Sequence, residues 1–67
     1  MSIAKTIEII SSSATSFQDA IDQGIARANR TLDHITGAWI GDQTLRIRDG
    51  KISEYRVRMK ITFLLEE

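Results

Sequence analysis

Sixty-seven residues with no cysteine, one histidine and nine basic against nine acidic side chains rule out disulfides and zinc sites of the usual kind. The balanced charge gives no long-range pull on nucleic acid, and no apolar run approaches the roughly 20 residues of a membrane span. A chain of this length buries only about 60% of its unfolded surface, so oligomerisation is the remaining route to a stable fold.

The opening stretch MSIAKTIEII lacks the n-region, h-region and cleavage site of a signal peptide and a glycine after Met1 for myristoylation, which sets a cytoplasmic expectation. Residues 3–11 are rich in isoleucine, with Ile3, Ile7 and Ile9 on one face and Thr6 and Glu8 on the other, the pattern of a strand. The polar run SSSATS then suits a turn. Thr15-x-x-Gln18 has the form of a capping box, with Ser16 as a second choice of N-cap. From there Phe17, Ala20, Ile21, Ile25, Ala28 and Leu32 recur at helical intervals, predicting an amphipathic helix of four to five turns. Gly24 inside it predicts close approach of another backbone.

The second half predicts a β-hairpin. Asp49-Gly50 is a strong two-residue turn signal. Beyond it Tyr55, Val57, Met59, Ile61, Phe63 and Leu65 alternate with Glu54, Arg56, Arg58, Lys60 and Thr62, one face apolar and one charged. A register centred on the turn places Ala38 opposite Ile61 and Ile40 opposite Met59, with Trp39 opposite Lys60 on the charged face. It also places Asp42 opposite Val57, a poor core pair, which predicts a β-bulge at Gly41 to Gln43. Strand, helix, strand, strand gives an α+β fold of βαββ order. Placing the last strand between the other two makes every neighbouring pair antiparallel, so the expected order is 1-3-2. The whole chain, 1–67, is expected to be one domain.

No reactive centre stands out. Ser11, Ser12 and Ser13 lack a G-x-S-x-G or S-x-x-K frame and read as a loop and helix entry. Asp33-His34 reads as a solvated helix end near the negative pole of the helix dipole, Glu66 and Glu67 as a frayed acidic end. The glycines at 24, 37, 41 and 50 form no phosphate loop. The expectation is a protein without catalytic activity. The charged sheet face differs, because Trp39, Leu45, Ile47, Ile52 and Leu64 are expected to share it with Arg56, Arg58 and Lys60. That much apolar area suits a subunit interface better than water.

The stretches TIEIISSSATSFQDAI, IARANRTLDHI and EYRVRMKITFLLEE resemble the dodecins, small flavin-binding proteins of βαββ fold, over almost the whole chain. The resemblance implies a hollow homododecamer that binds or stores a small flat ligand such as a flavin (riboflavin or FMN) between subunits. In flavin-binding members a tryptophan on the second strand stacks on the isoalloxazine and a glutamine on the third hydrogen-bonds its edge. Aligned through Asp42-Gln43 and Tyr55, those positions hold Gly37 and Arg56, while Trp39 lies two residues further along, roughly 7 Å by strand rise. Asp42 matches an aspartate that contacts the ribityl chain in some members, and Gln43 beside it completes the candidate set. Dodecins without that tryptophan and with arginine for the glutamine are associated with cations such as calcium, or with no known ligand, so the alternative is a structural or divalent-cation-binding dodecameric shell without flavin function. Two readings of Trp39 therefore stand side by side: stacking on a ligand, or packing against charged side chains at an interface.

Overall fold

The computed structural model describes residues 2–65, leaving Met1, Glu66 and Glu67 outside. Its elements are β1 (Ile3–Ser13), α1 (Phe17–Asn29), β2 (Ile35–Arg48) and β3 (Lys51–Leu65). The strands form one antiparallel sheet in the order β1-β3-β2, as the topological argument required. Val57, Met59 and Ile61 of the central strand are fully buried beneath Ala20 and Ala28 of the helix. Ile7 and Ile9 of β1 and Ile40 of β2 pack around them.

β1 runs two residues further than the isoleucine pattern implied. Ser11, Ser12 and Ser13 are strand residues opposite Val57, Arg56 and Tyr55, not a turn. Their small size serves the packing. A Cβ placed on Gly24 would lie 3.0 Å from Ser11 Cβ and 3.0 Å from Met59 Cε, so a glycine on the helix and a serine on the strand together let the two backbones close. Ser13 then starts the helix. Its hydroxyl donates to Asp19 Oδ2 and accepts from the Thr15 amide at 2.9 Å.

The N-cap is Ser16, whose Oγ accepts from the Asp19 amide at 3.0 Å; the Thr15–Gln18 capping box does not form. Extended backbone at Ser16 and the acidic side chain in the first turn suit that role. The helix also stops sooner than the apolar period suggested, at 13 residues, about three and a half turns. A closing turn in which the Leu32 amide donates to the Ala28 carbonyl at 3.0 Å keeps Leu32 packed on the core without helix beneath it.

The hairpin turn has Asp49 at φ 52° and Gly50 at φ 75°, the double positive φ of a type I′ turn. Arg48 pairs with Lys51 and Ile47 with Ile52, in the expected register. Ser53 is then an extra residue on β3, its hydroxyl donating to the Arg46 carbonyl at 3.1 Å, and the pairing shifts by one. The predicted bulge at Gly41 and Asp42, on the opposite strand, shifts it back. Trp39 thus faces Lys60 and Ile40 faces Met59 because two bulges cancel. Between them the expected facing is overturned: Leu45 lies opposite Tyr55 and Gln43 opposite Val57. Leu45, Ile47 and Ile52 accordingly belong to the helix side of the sheet, not to the charged face.

They are nonetheless exposed, and the reason is length. Strands of 14 and 15 residues span about 45–50 Å, whereas the 13-residue helix covers about 20 Å. Phe17 at the helix entry meets the Tyr55 ring edge-on, with centroids 5.2 Å apart, and beyond that pair the hairpin extends uncovered.

Replacing Gly50 by Val is expected to cost about 1–2 kcal/mol, the penalty for an L side chain in left-handed backbone. Urea denaturation of parent and variant at one protein concentration measures it. Identical midpoints would mean the turn does not hold the register.

Candidate functional site

With the helix on one side, the other side of the sheet is set by Arg56, Arg58, Lys60 and Thr62 of β3. Their partners across the ladder are Ser12, Ile10, Glu8 and Thr6 on β1, and Thr44, Trp39 and Gly37 on β2 for Arg56, Lys60 and Thr62. Trp39 is 55% exposed, so it is not a core residue. Its indole does not stand free. A Cβ on Gly41 would fall 2.5 Å from Cζ3 and 2.8 Å from Cη2 of the ring, so the indole lies along its own strand in the space that a side chain at 41 would fill. The Lys60 ammonium sits 5.3 Å from the ring centroid, within cation–π range. Gly41 is required here by close approach, and only a glycine two residues after the tryptophan offers such a seat. The W-x-G spacing of Trp39-Ile40-Gly41 is the trace of that seat in the sequence.

Beside the ring, Arg58 is held from both flanks. It donates to Asp42 Oδ2 of β2 at 2.7 Å and lies 3.9 Å from Glu8 Oε2 of β1. The bulge at Gly41 and Asp42 turns Asp42 to this side, where alternation alone would have sent it to the helix. Arg56 donates to Glu54 Oε1 at 2.9 Å. Hydrogen bonds from Arg56 and then Ser12 hold the Glu54 carboxyl below the usual carboxylate range. A depressed carboxyl stabilises the fold above its unfolded pKa and loses that contribution only as pH falls through the lowered value. The Arg56–Glu54 pair is therefore intact at neutral pH. The Nε atoms of Arg56 and Arg58 are buried without a hydrogen-bond partner among the described residues.

Of the five candidate residues, Gly37, Trp39, Asp42 and Arg56 share this open face. Gln43 does not, since its pairing with Val57 turns it to the helix side. A Cβ on Gly37 would meet nothing within 4 Å, so the surface next to Trp39 is vacant. No group of three or more His, Cys, Asp or Glu side chains is placed to hold a metal ion among the described residues. A groove of about 610 Å³ on the opposite side, between β1 and the helix, is lined by Ile9, Gln23, Arg27 and Leu32 among others and contains none of the candidates. No helix among the described residues is long and apolar enough to cross a membrane.

The Dodecin family model matches residues 3–66. The chain belongs to the dodecin family. Calcium dodecin of Mycobacterium tuberculosis is 34% identical over 64 residues, covering 94% of this chain and 89% of that protein. Dodecin of Thermus thermophilus is 31% identical over 67 residues, covering 97% and 94%. The solved dodecin from Streptomyces davaonensis superposes with a TM-score of 0.94 at 29% identity, over 98% of this chain and 97% of that one. The resemblance carried by the opening strand with its serine run, the helix and the closing strand thus stands, as does the order of the sheet. Gly37 and Trp39 are neighbours on one strand face, opposite Thr62 and Lys60.

Proposed function

We propose that this dodecin is a non-catalytic binding and storage protein that holds a small flat ligand, a flavin such as riboflavin or FMN, on the open sheet face between subunits of a homododecamer in the cytoplasm. The observation that carries the reading is Trp39: an indole more than half exposed, seated over Gly41 and next to vacant surface. Indole faces accept flat π-systems. The need for partner subunits follows from the balance of apolar surface. Among the described residues eight large apolar side chains are exposed, whereas the fully buried ones of comparable size are Val57, Met59 and Ile61. Exposed apolar area of that extent, spread over both faces of the sheet on so short a chain, supports an interface.

Native mass spectrometry of the purified protein, followed by flavin titration with fluorescence quenching, tests both parts. The expected results are a twelve-subunit species and saturable quenching. A dominant monomer at micromolar concentration, or flavin emission unaffected by excess protein, would count against the reading. The alternative is a cation-holding or purely structural shell, favoured by the name of the calcium dodecin relative. The acids nearest Trp39 support it weakly, because Asp42 and Glu8 already engage Arg58. Calcium titration by calorimetry distinguishes the two.

A further inference from the structure

We infer that Lys60 sets the ligand specificity of the Trp39 platform: its ammonium holds an indole face that a flat ligand needs, so rings carrying an anionic group are favoured over neutral ones. The inference rests on the ligand-binding reading above and deepens it.

Three features on the open face lead there. Lys60 stands directly across the ladder from Trp39, and its ammonium lies 5.3 Å from the ring centroid. The carboxylates that would otherwise neutralise it are engaged elsewhere. Glu8, its partner on β1, is directed at Arg58, and Asp42 is bonded to Arg58. The indole in turn is braced over Gly41 and cannot settle deeper to offer a fresh surface.

A flat ring that stacks on the Lys60 side must move the ammonium aside. A neutral ring thereby forfeits the cation–π contact, a loss of about two- to five-fold in affinity at an exposed site. The displaced ammonium rides on a flexible four-carbon stem and stays within reach of a group at the ligand's periphery. If that group is a phosphate, an ion pair of comparable size replaces the lost contact. Lys60 is thus an internal competitor for uncharged rings and a partner for charged ones.

Riboflavin and FMN share one ring system and differ by a phosphate, so they are the probes. Trp39 is the sole tryptophan of the chain, and its emission reports occupation of the platform directly. Both flavins are titrated into the assembled parent, Lys60→Met, which keeps the apolar stem, and Lys60→Arg, which keeps the charge. In the parent FMN is expected to bind more tightly than riboflavin, with a preference that shrinks as salt is raised. Lys60→Met should tighten riboflavin about two- to five-fold and abolish the FMN preference, and Lys60→Arg should restore it. Equal riboflavin affinity and an unchanged FMN preference in Lys60→Met would overturn the role of Lys60 while leaving the ligand-binding reading standing. Failure of both flavins to bind any of the three proteins would overturn that reading, and this inference with it.

Discussion

Replacing Gly37 by Trp together with Arg56 by Gln is expected to raise flavin affinity roughly 5- to 150-fold, the equivalent of about 1–3 kcal/mol. The magnitude comes from the edge of the ring. A guanidinium donates hydrogen bonds but accepts none, so Arg56 can serve the carbonyl oxygens of a flavin and must leave its N3–H unpaired. A glutamine amide serves both. Arg56 is in addition bonded to Glu54 at 2.9 Å, and an incoming ring has to compete for it. At position 37 the obstacle is absence and not collision, because a side chain there meets nothing within 4 Å and the backbone is free of positive φ. A new indole would stand roughly 7 Å along the strand from Trp39, far enough to take a ring of its own. Flavin fluorescence quenching of the parent, Trp39→Ala and the double variant provides the measurement. Tight binding by the parent that survives Trp39→Ala would show that residues other than Trp39 hold the ring.

The second large effect lies in the core. Met59→Ala should destabilise the protein by about 2–5 kcal/mol, the range for emptying a buried site of that size. Met59 is fully buried on the central strand, between Ile9 on one side and Ile40 on the other, and its Cε lies against the helix at Gly24. A helix already in close approach has little room to collapse into the void. Met59→Leu preserves most of the volume and should cost less than about 1.5 kcal/mol. Thermal melts of all three proteins at one concentration decide the matter, since any self-association makes a midpoint concentration-dependent. A midpoint for Met59→Ala matching the parent's would mean the core is held chiefly by contacts between subunits.

Period and punctuation made much of this fold legible. The alternation from Tyr55 to Leu65 and the helical spacing from Phe17 to Ala28 survive intact, and the position of β3 follows from the antiparallel requirement alone. One departure from period is not legible in the alternation, the extra residue at Ser53. Ser53 and Glu54 are two consecutive polar residues between Ile52 and Tyr55, the trace that an extra residue leaves in an alternating strand. A single register carried through them places Leu45, Ile47 and Ile52 on the charged face, where the extra residue instead turns them to the helix side. The later pairing was right only because Gly41–Asp42 supplied a compensating bulge. At the site, the exposure of Trp39 was readable from its apolar neighbours Ala38 and Ile40. The tie between Arg58 and Glu8 was not, because it joins positions far apart in the chain that meet only once β1 lies beside β3.

The sheet order has a consequence for how the protein is made. With β3 in the middle, β1 and β2 each pair on one side only, and the chain contains no proline to blunt either outer edge. A newly synthesised subunit therefore carries two open templates for strand addition, along with the uncovered isoleucines of the hairpin. In the homododecamer proposed above these edges lie open to ordered docking between subunits, and outside it the same edges are open to disordered pairing with one another.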